Sequence, residues 1–139
     1  MRLRGHHLLC VFGFQGMGYD SAHAEGMAAV VRRVRAPRAR VSIVAGPDDI
    51  CAACPHRERE GCASSELARD RAALSALGMQ VGDAEDARLL FAGVAARITP
   101  ASLAALCAGC CWYEQGLCVA GLAAGRIAAG WEEDVNLPV

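Results

Sequence analysis

The amino-acid sequence predicts a mainly α-helical domain with a small β element, and three observations support this fold class. Apolar residues recur at helical spacing, as at Met27, Val30, Val31 and Val34. Segment 41–44 alternates apolar and polar residues over a length that suits a short strand. No Pro-, Gly- or Ser-rich linker divides the 139 residues, so we expect one domain over residues 1–139.

The first predicted elements have boundaries that follow from capping and helix-breaking residues. Asp20 or Ser21 is a good N-cap for the first clear helix. Pro37 is expected to end that helix, because proline disfavours helical geometry at the residue before it. The strand at 41–44 comes next, and segment 2–4 is its expected pairing partner.

The rest of the chain is predicted to be a loop followed by helices. Segment 48–62 has no apolar periodicity, which is typical of a loop. The later helices are expected to begin at Ser64 or Ser65, at Asp83, at Thr99-Pro100 and after Cys118. Gly78 is expected to end the first of them.

Charge and hydropathy exclude two classes of partner. All 14 basic residues are arginine, and the net charge of -1 leaves no basic surplus of the kind that nucleic-acid-binding domains carry. No stretch approaches the roughly 18–20 apolar residues that span a bilayer. We therefore expect a cytoplasmic protein with neither nucleic-acid nor membrane partners. In that reducing compartment the 8 cysteines are expected to be ligands or catalysts rather than disulfides.

Six of the cysteines follow one spacing rule that is used twice. The pattern C-x2-C-x7-C occurs as a first triad of Cys51, Cys54 and Cys62 and as a second triad of Cys107, Cys110 and Cys118. Two thiolates separated by two residues can bind one metal or one cluster from a single tight turn, and the longer gap lets the chain return a third thiolate. The repeat therefore predicts two three-cysteine metal-binding loops that lie on the same side of the molecule.

Each triad is one ligand short of the usual four, and five other side chains are candidates to complete it. These are Cys10, Cys111, His6, His7 and His56. If the segment around Cys10 is helical, His6, His7 and Cys10 share one face of that helix. The histidines are weaker candidates, because each also has an ordinary structural role open to it.

Three chemistries are open for the triads. Iron–sulfur ligation, most simply a 4Fe–4S cluster, suits triads that are rich in cysteine and poor in histidine. Zinc is the alternative, since C-x2-C pairs also hold structural zinc. Disulfide or thiol redox chemistry is the third, although the βαβ context of a thioredoxin-like site is missing.

Three segments of the chain resemble one known family. They are Leu3 to Cys10 with the glycines up to Tyr19, Asp48 to Cys62, and Cys107 to Cys118 with Trp112 and Gly116. In these segments the chain is similar to the small bacterial and archaeal proteins grouped as domain of unknown function 1284, which are suspected of binding iron–sulfur. The resemblance implies seven cofactor ligands, namely Cys10 and the two triads. Cys111 departs from the family pattern.

These patterns lead to two hypotheses of different classes. The first is an iron–sulfur protein that carries electrons to a redox partner or performs cluster-dependent redox chemistry on a substrate. The second is a zinc-stabilised structural or interaction module without catalytic activity. The sequence does not decide whether the protein is an enzyme.

Overall fold

The computed structural model describes the backbone of residues 1–57 and 60–127 and the side chains of residues 1–57 and 66–124. In this part of the chain, seven α-helices surround a small three-stranded sheet, which confirms the predicted mainly α fold class. The elements in order are β1 (Arg2–Leu3), α1 (Gly5–Phe12), α2 (Ser21–Arg35), β2 (Arg40–Ile43), a 3-10 turn (Cys51–Ala53), α3 (Glu60–Leu77), β3 (Ala84–Asp86), α4 (Ala87–Arg97), α5 (Pro100–Cys107), α6 (Cys111–Glu114) and α7 (Leu117–Ile127).

The sheet has β2 at its centre. β1 pairs with β2 in parallel, with Leu3 opposite Ile43, so the expected pairing of segment 2–4 with 41–44 is confirmed. β3 pairs with the other edge of β2 in the antiparallel sense, with Val41 opposite Glu85. Leu3, Val41 and Ile43 are all buried, so one face of the sheet contributes to the core.

Four predicted helix boundaries are confirmed, and each has a visible cause. The carboxylate of Asp20 accepts a hydrogen bond from the His23 backbone N–H at 2.7 Å and caps α2. α2 ends two residues before Pro37. Gly78 follows α3 with a φ of +66°, a conformation that glycine adopts at no steric cost. Thr99 and Ser102 form a reciprocal capping box at the start of α5.

Three expectations about the middle of the chain are wrong. α3 begins at Glu60 and not at Ser64 or Ser65, so the backbone of Cys62 is helical and segment 48–62 is not a loop throughout. Asp83 does not start a helix, because residues 84–86 extend along β2 as β3. The acidic residues of that segment resemble those found in a first helical turn. Its backbone instead forms hydrogen bonds with the free edge of β2. Asp86 caps α4 instead.

The hydrophobic core lies between the sheet and helices α1, α2 and α4. Phe91 of α4 is fully buried, and its ring stacks on that of Phe12 with centroids 6.5 Å apart. Met27 and Val34 of α2 are 1% exposed, so the apolar stripe seen in the sequence faces this core. Fully burying such side chains stabilises the fold by roughly 1.5–3 kcal/mol each.

No single helix among the described residues is both long and apolar enough to cross a membrane. Only α4 and α5 taken together pass that test of length and composition, and the chain bends by 100° between them.

A buried ion pair joins the N-terminus of α1 to the middle of α3. Arg4 is 1% exposed, and its Nε donates to Asp70 Oδ2 at 2.8 Å. The two helices are in close contact beside this pair, since a Cβ on Gly5 would lie 2.4 Å from the Asp70 carbonyl oxygen. Glycine at this position is therefore a condition for the ion pair.

A second close approach joins the C-terminal end of α1 to α7. A Cβ on Gly121 would lie 1.9 Å from the carbonyl oxygen of Gly13, and one on Gly13 would lie 3.6 Å from that of Cys118. The two backbones are thus in direct contact, which brings the helix that carries Cys118 against the helix that carries Cys10.

Replacing Asp70 by Asn should destabilise the protein by about 3–5 kcal/mol, because it leaves the buried guanidinium of Arg4 without its counter-charge. Burial raises the pKa of Asp70, but hydrogen bonds from His6 and Arg4 outweigh it and hold the pKa below its usual value. The stabilisation is therefore present above the unfolded pKa near 4 and is lost as the pH falls through the folded pKa. Denaturant unfolding of Asp70→Asn and wild type at neutral and acidic pH measures this loss.

The matched control for that measurement is Arg33→Gln, which removes the solvent-exposed pair between Arg33 and Asp49, 3.6 Å apart. An exposed pair contributes about 0–1 kcal/mol. An equal loss of stability in the two variants would contradict the special role of the buried pair.

Replacing Gly121 by Ala should destabilise the protein by about 2–3 kcal/mol, because the new methyl group meets the Gly13 backbone. Gly93→Ala is the control, since a Cβ on this helical glycine meets nothing within 4 Å. That substitution should be neutral or stabilising by up to about 1 kcal/mol. Melting temperatures of the two variants compare the effects, and similar values would show that α7 does not contact α1 this closely.

Candidate metal centre

One cavity of about 650 Å³ collects nearly all of the cysteine and histidine side chains of the chain. It is lined by seven of the eight cysteines and all four histidines: Cys10, Cys51, Cys54, Cys107, Cys110, Cys111, Cys118, His6, His7, His23 and His56. The side chain of the eighth cysteine, Cys62, lies outside the described residues. The two triads thus meet at one region as expected, at least through their five described members.

Helix α1 supplies three of these side chains. His6, His7 and Cys10 fall within one turn of α1, and all three line the cavity. The sequence-based expectation that they share a face of a helix is therefore confirmed. The opposite side of α1, with Leu8 and Val11, is buried in the core.

The described part of the first triad is a tight turn organised by one carboxylate. Asp48 Oδ1 accepts hydrogen bonds from the backbone N–H groups of Ile50 at 3.0 Å and Cys51 at 3.2 Å. The Cys54 N–H then donates to the Cys51 carbonyl at 3.1 Å and closes the 3-10 turn. Asp48 thereby stabilises the turn that follows it. Cys51 and Cys54 consequently leave one short, fixed segment.

The second triad spans the junction of three helices. Cys107 ends α5, Cys110 is the N-cap of α6, and Cys118 lies in the first turn of α7. Gly109 and Gly116, with φ of +82° and +77°, reverse the chain between these helices. This segment is therefore mostly helical and not the irregular loop that was expected.

Arg69 of α3 connects the second triad to α3 by hydrogen bonds. Its guanidinium donates to the carbonyl oxygens of Leu106 at 3.1 Å and Ala108 at 3.3 Å, on either side of Cys107. Arg69 also pairs with Glu66, whose Oε2 lies 3.7 Å from His6 Nε2. A chain of polar contacts thus connects α1 through α3 to the end of α5.

Four thiols interact electrostatically with one another. Burial raises the pKa of Cys10 well above its usual value, and the charges of Cys110, Cys118 and Cys107 raise it further. Burial and then the charge of Cys110 raise the pKa of Cys118 and of Cys107 to about 11. All four side chains also line the same cavity. We call Cys10, Cys107, Cys110 and Cys118 the four-thiol set.

Nδ1 of His6 and Nδ1 of His7 each contact a buried carboxylate. His6 Nδ1 lies 2.6 Å from Asp70 Oδ1, and His7 Nδ1 lies 2.7 Å from Asp48 Oδ2. Burial lowers the pKa of His6, which favours a neutral ring at pH 7. If Nδ1 carries the proton that each carboxylate accepts, Nε2 of each ring is left with a lone pair. This is the arrangement that orients metal-binding histidines in proteins.

Aromatic rings border the same cavity. Tyr19 lies 4.8 Å from Trp112 and 4.5 Å from His56 between ring centroids, and His23 stacks on Trp112 at 5.6 Å. The Tyr19 N–H donates to His23 Nδ1 at 3.2 Å, so His23 is not oriented by a carboxylate as His6 and His7 are. Trp112 thus contributes to the aromatic border of the cavity.

Two residues of the site were missed from the sequence. His23 precedes Met27 by four residues and so continues the buried stripe of α2, which was a usable signal. Asp70 lies in a helix of mixed polar composition, and nothing local distinguishes it from a solvent-exposed acid.

One group of three donor atoms among the described side chains lies within 4.8 Å of one another, and it consists of His7, Asp48 and Cys51. The four-thiol set does not qualify as such a group. A single tetrahedral ion would hold its sulfur ligands roughly 3.8 Å apart, given a metal–sulfur distance of about 2.3 Å. Among the described side chains, no three sulfurs of the four-thiol set lie within 4.8 Å of one another.

The comparison with known proteins gives one match. A family model described as protein of unknown function (DUF1284) covers residues 18–116, well over half of the chain. The covered range contains Cys51, Cys54, Cys107 and Cys110, whereas Cys10 and Cys118 lie outside it. The searches of curated proteins and of solved structures found no match.

In the reduced, metal-free protein, Cys111 should be alkylated first and Cys10 last. Cys111 is exposed, whereas Cys10 is partly buried and its raised pKa keeps it a thiol, which is a poor nucleophile. Cys107 and Cys118 should react faster as the pH rises towards 11. Iodoacetamide labelling followed by peptide mass spectrometry gives the order. Labelling in denaturant is the control, and the same order there would show that burial does not set the reactivity.

Proposed function

Since this chain belongs to the DUF1284 family of proteins of unknown function, its activity has to be argued from the site, and we propose that it is an iron–sulfur protein. In this proposal the four-thiol set holds a 4Fe–4S cluster. The observation that carries the proposal is the convergence of these four thiols on one cavity from α1, α5, α6 and α7.

The donor set fits this cofactor in number and type. Four thiolates complete the coordination of a 4Fe–4S cluster, and soft sulfur donors suit it. Each thiolate of such a cluster binds a different iron atom, so the four sulfurs need not meet at one ion. Cys10 also supplies the fourth ligand that the second triad lacks.

The protein has to hold four mutually repelling thiolates in place. The contact of Gly121 with Gly13 brings α7 to α1, and Arg69 fixes the end of α5. The charge of Arg69 also opposes the effects of burial and of Cys110 on the pKa of Cys107. When bound, the cluster supplies one-electron transfer at a potential that burial, hydrogen bonds and net charge set.

The cavity supports redox chemistry on a small substrate in addition to electron transfer. Its volume of about 650 Å³ falls within the roughly 300–1,000 Å³ of small-molecule sites. Electrons would come from a redox partner protein in the cytoplasm, and neither nucleic acid nor a membrane is part of the proposal.

A zinc-stabilised structural module is the competing hypothesis, and two features count against it as the sole role of the cysteines. Structural zinc sites are closed, with four ligands at tetrahedral spacing. Among the described side chains, no three sulfurs of the four-thiol set lie within 4.8 Å of one another, and the set borders a cavity.

Protein purified without oxygen should be brown, with broad visible absorption and about four iron atoms per chain from this cluster. Cys10→Ala and Cys110→Ser should each lower the iron content and change the visible and paramagnetic resonance spectra. Cys111→Ser is the matched control, since it alters a neighbouring exposed cysteine that the proposal leaves without a ligand role. Colourless wild-type protein after reconstitution with iron and sulfide would overturn the proposal, and unchanged spectra of Cys10→Ala would remove Cys10 from it.

A further inference from the structure

His6 has one ring nitrogen held by the fold and one left for the cavity. Its Nδ1 lies 2.6 Å from Asp70 Oδ1, and the same oxygen accepts from the His6 backbone N–H at 3.0 Å. Despite burial, the pKa of Asp70 lies below its usual value because His6 and Arg4 donate to it. Asp70 is therefore ionised at neutral pH, and Nδ1 of His6 carries the proton between them. The other nitrogen, Nε2, keeps its lone pair.

Asp70 is itself held in place by the buried ion pair with Arg4. The Arg4 Nε donates to Asp70 Oδ2 at 2.8 Å, and Asp70 is 5% exposed. The His6 ring is thus oriented by a carboxylate whose own position belongs to the fold. In enzymes with a histidine base, a buried carboxylate fixes the tautomer and the orientation of the ring in this way.

A second carboxylate lies beside the Nε2 atom of His6. Glu66 Oε2 is 3.7 Å from Nε2, which is too far for a hydrogen bond but close enough to stabilise a positive charge on the ring. Both side chains line the cavity. Burial lowers the pKa of His6 and the charge of His7 lowers it further, whereas Asp70 and Glu66 oppose these effects. The ring is therefore neutral at pH 7 and has two carboxylates to stabilise it when it takes up a proton.

The rest of the cavity suits a small, flat and largely apolar ligand. Two aromatic rings, those of Tyr19 and Trp112, lie 4.8 Å apart at its border and offer a surface on which a flat molecule can stack. Apolar side chains also line the cavity, at Leu9, Met27, Ile50 and Leu103.

We propose that His6 is a general base, oriented by Asp70, that removes a proton from a small, flat and largely apolar substrate in this cavity. A C–H, N–H or O–H bond of the substrate breaks, the proton goes to Nε2, and the electron pair stays on the substrate. The imidazolium then returns the proton to the product or to water. The step transfers no electrons and needs no oxidant. It rests on the proposed function only in taking the same cavity as the substrate site.

The probe for this base is nitrobenzisoxazole, a flat aromatic molecule that loses its C–H proton to a base while its N–O bond opens to a coloured cyanonitrophenolate. Full-length protein, purified without oxygen, should convert the probe with saturation. The rate should rise with pH through the lowered pKa of His6 and be level above about pH 7.5, because only the neutral ring accepts a proton. No conversion overturns the proposal. A rate that rises only towards pH 11 also does so, since it assigns the base to thiols such as Cys107 and Cys118.

Variants then assign the base. His6→Gln should lower the level rate at least about tenfold, because glutamine has no basic nitrogen. Glu66→Gln should move the rise to lower pH, since the Glu66 charge raises the pKa of His6. His56→Gln is the matched control, because His56 lines the cavity but its Nδ1 has no hydrogen-bond partner among the described residues. An unchanged rate in His6→Gln, or an equal loss in His56→Gln, overturns the assignment.

A measurement on the wild type covers the case in which His6→Gln does not fold. Nitrogen NMR of protein labelled in histidine should show His6 at neutral pH with a proton on Nδ1 and none on Nε2. A doubly protonated ring or the opposite tautomer overturns the proposal.

This proposal and the iron–sulfur proposal can fail separately. Colourless protein whose probe rate depends on His6 would refute the cluster and support the base. Brown protein whose probe rate is the same in wild type and His6→Gln would do the reverse.

Discussion

Two buried carboxylates, Asp48 and Asp70, are the constraint on which the site depends. Asp70 neutralises Arg4 and holds His6, while Asp48 accepts from the Arg4 backbone and holds His7. Together they fix the first turn of α1 against α3 and against the turn that carries Cys51. Each carboxylate is costly to bury and is stabilised only if its partners are in place. The fold and the orientation of the histidines therefore depend on the same hydrogen bonds.

The cysteines impose the opposite constraint, because their thiolate forms are unfavourable without a cation. Gathering Cys10, Cys107 and Cys118 in a partly buried space raises the pKa of each thiol, so they are protonated in the metal-free protein at neutral pH. A bound metal needs thiolates, and its charge removes the repulsion that raises the pKa values. Metal uptake should thus release protons and stabilise the fold at once. In the metal-free protein, the helices that carry these cysteines are held together by the polar contacts of Arg69 and by the close packing of Gly121 on Gly13.

Local signals in the sequence predicted several helices well, and they were weaker where distant segments decide the structure. The caps at Asp20 and Thr99 act within a few residues, so their helices were predicted correctly. β3 was not predicted, because this segment is extended through its pairing with the edge of β2. That edge lies more than 40 residues away in the sequence. The same holds for Asp70, which becomes a site residue only through the approach of Arg4 and His6. Cysteine spacing selected candidate donors, but it did not show that Cys10 and the second triad line one cavity.

The two triads share one spacing pattern but have different surroundings. The second triad lines the cavity together with Cys10, so it can be joined by a further sulfur donor. The described part of the first triad meets Asp48 and His7, so its surroundings mix sulfur, nitrogen and a buried carboxylate. Donor type selects the metal more strongly than spacing does, because thiolate-only sites favour iron–sulfur clusters whereas mixed imidazole–thiolate sites suit single ions.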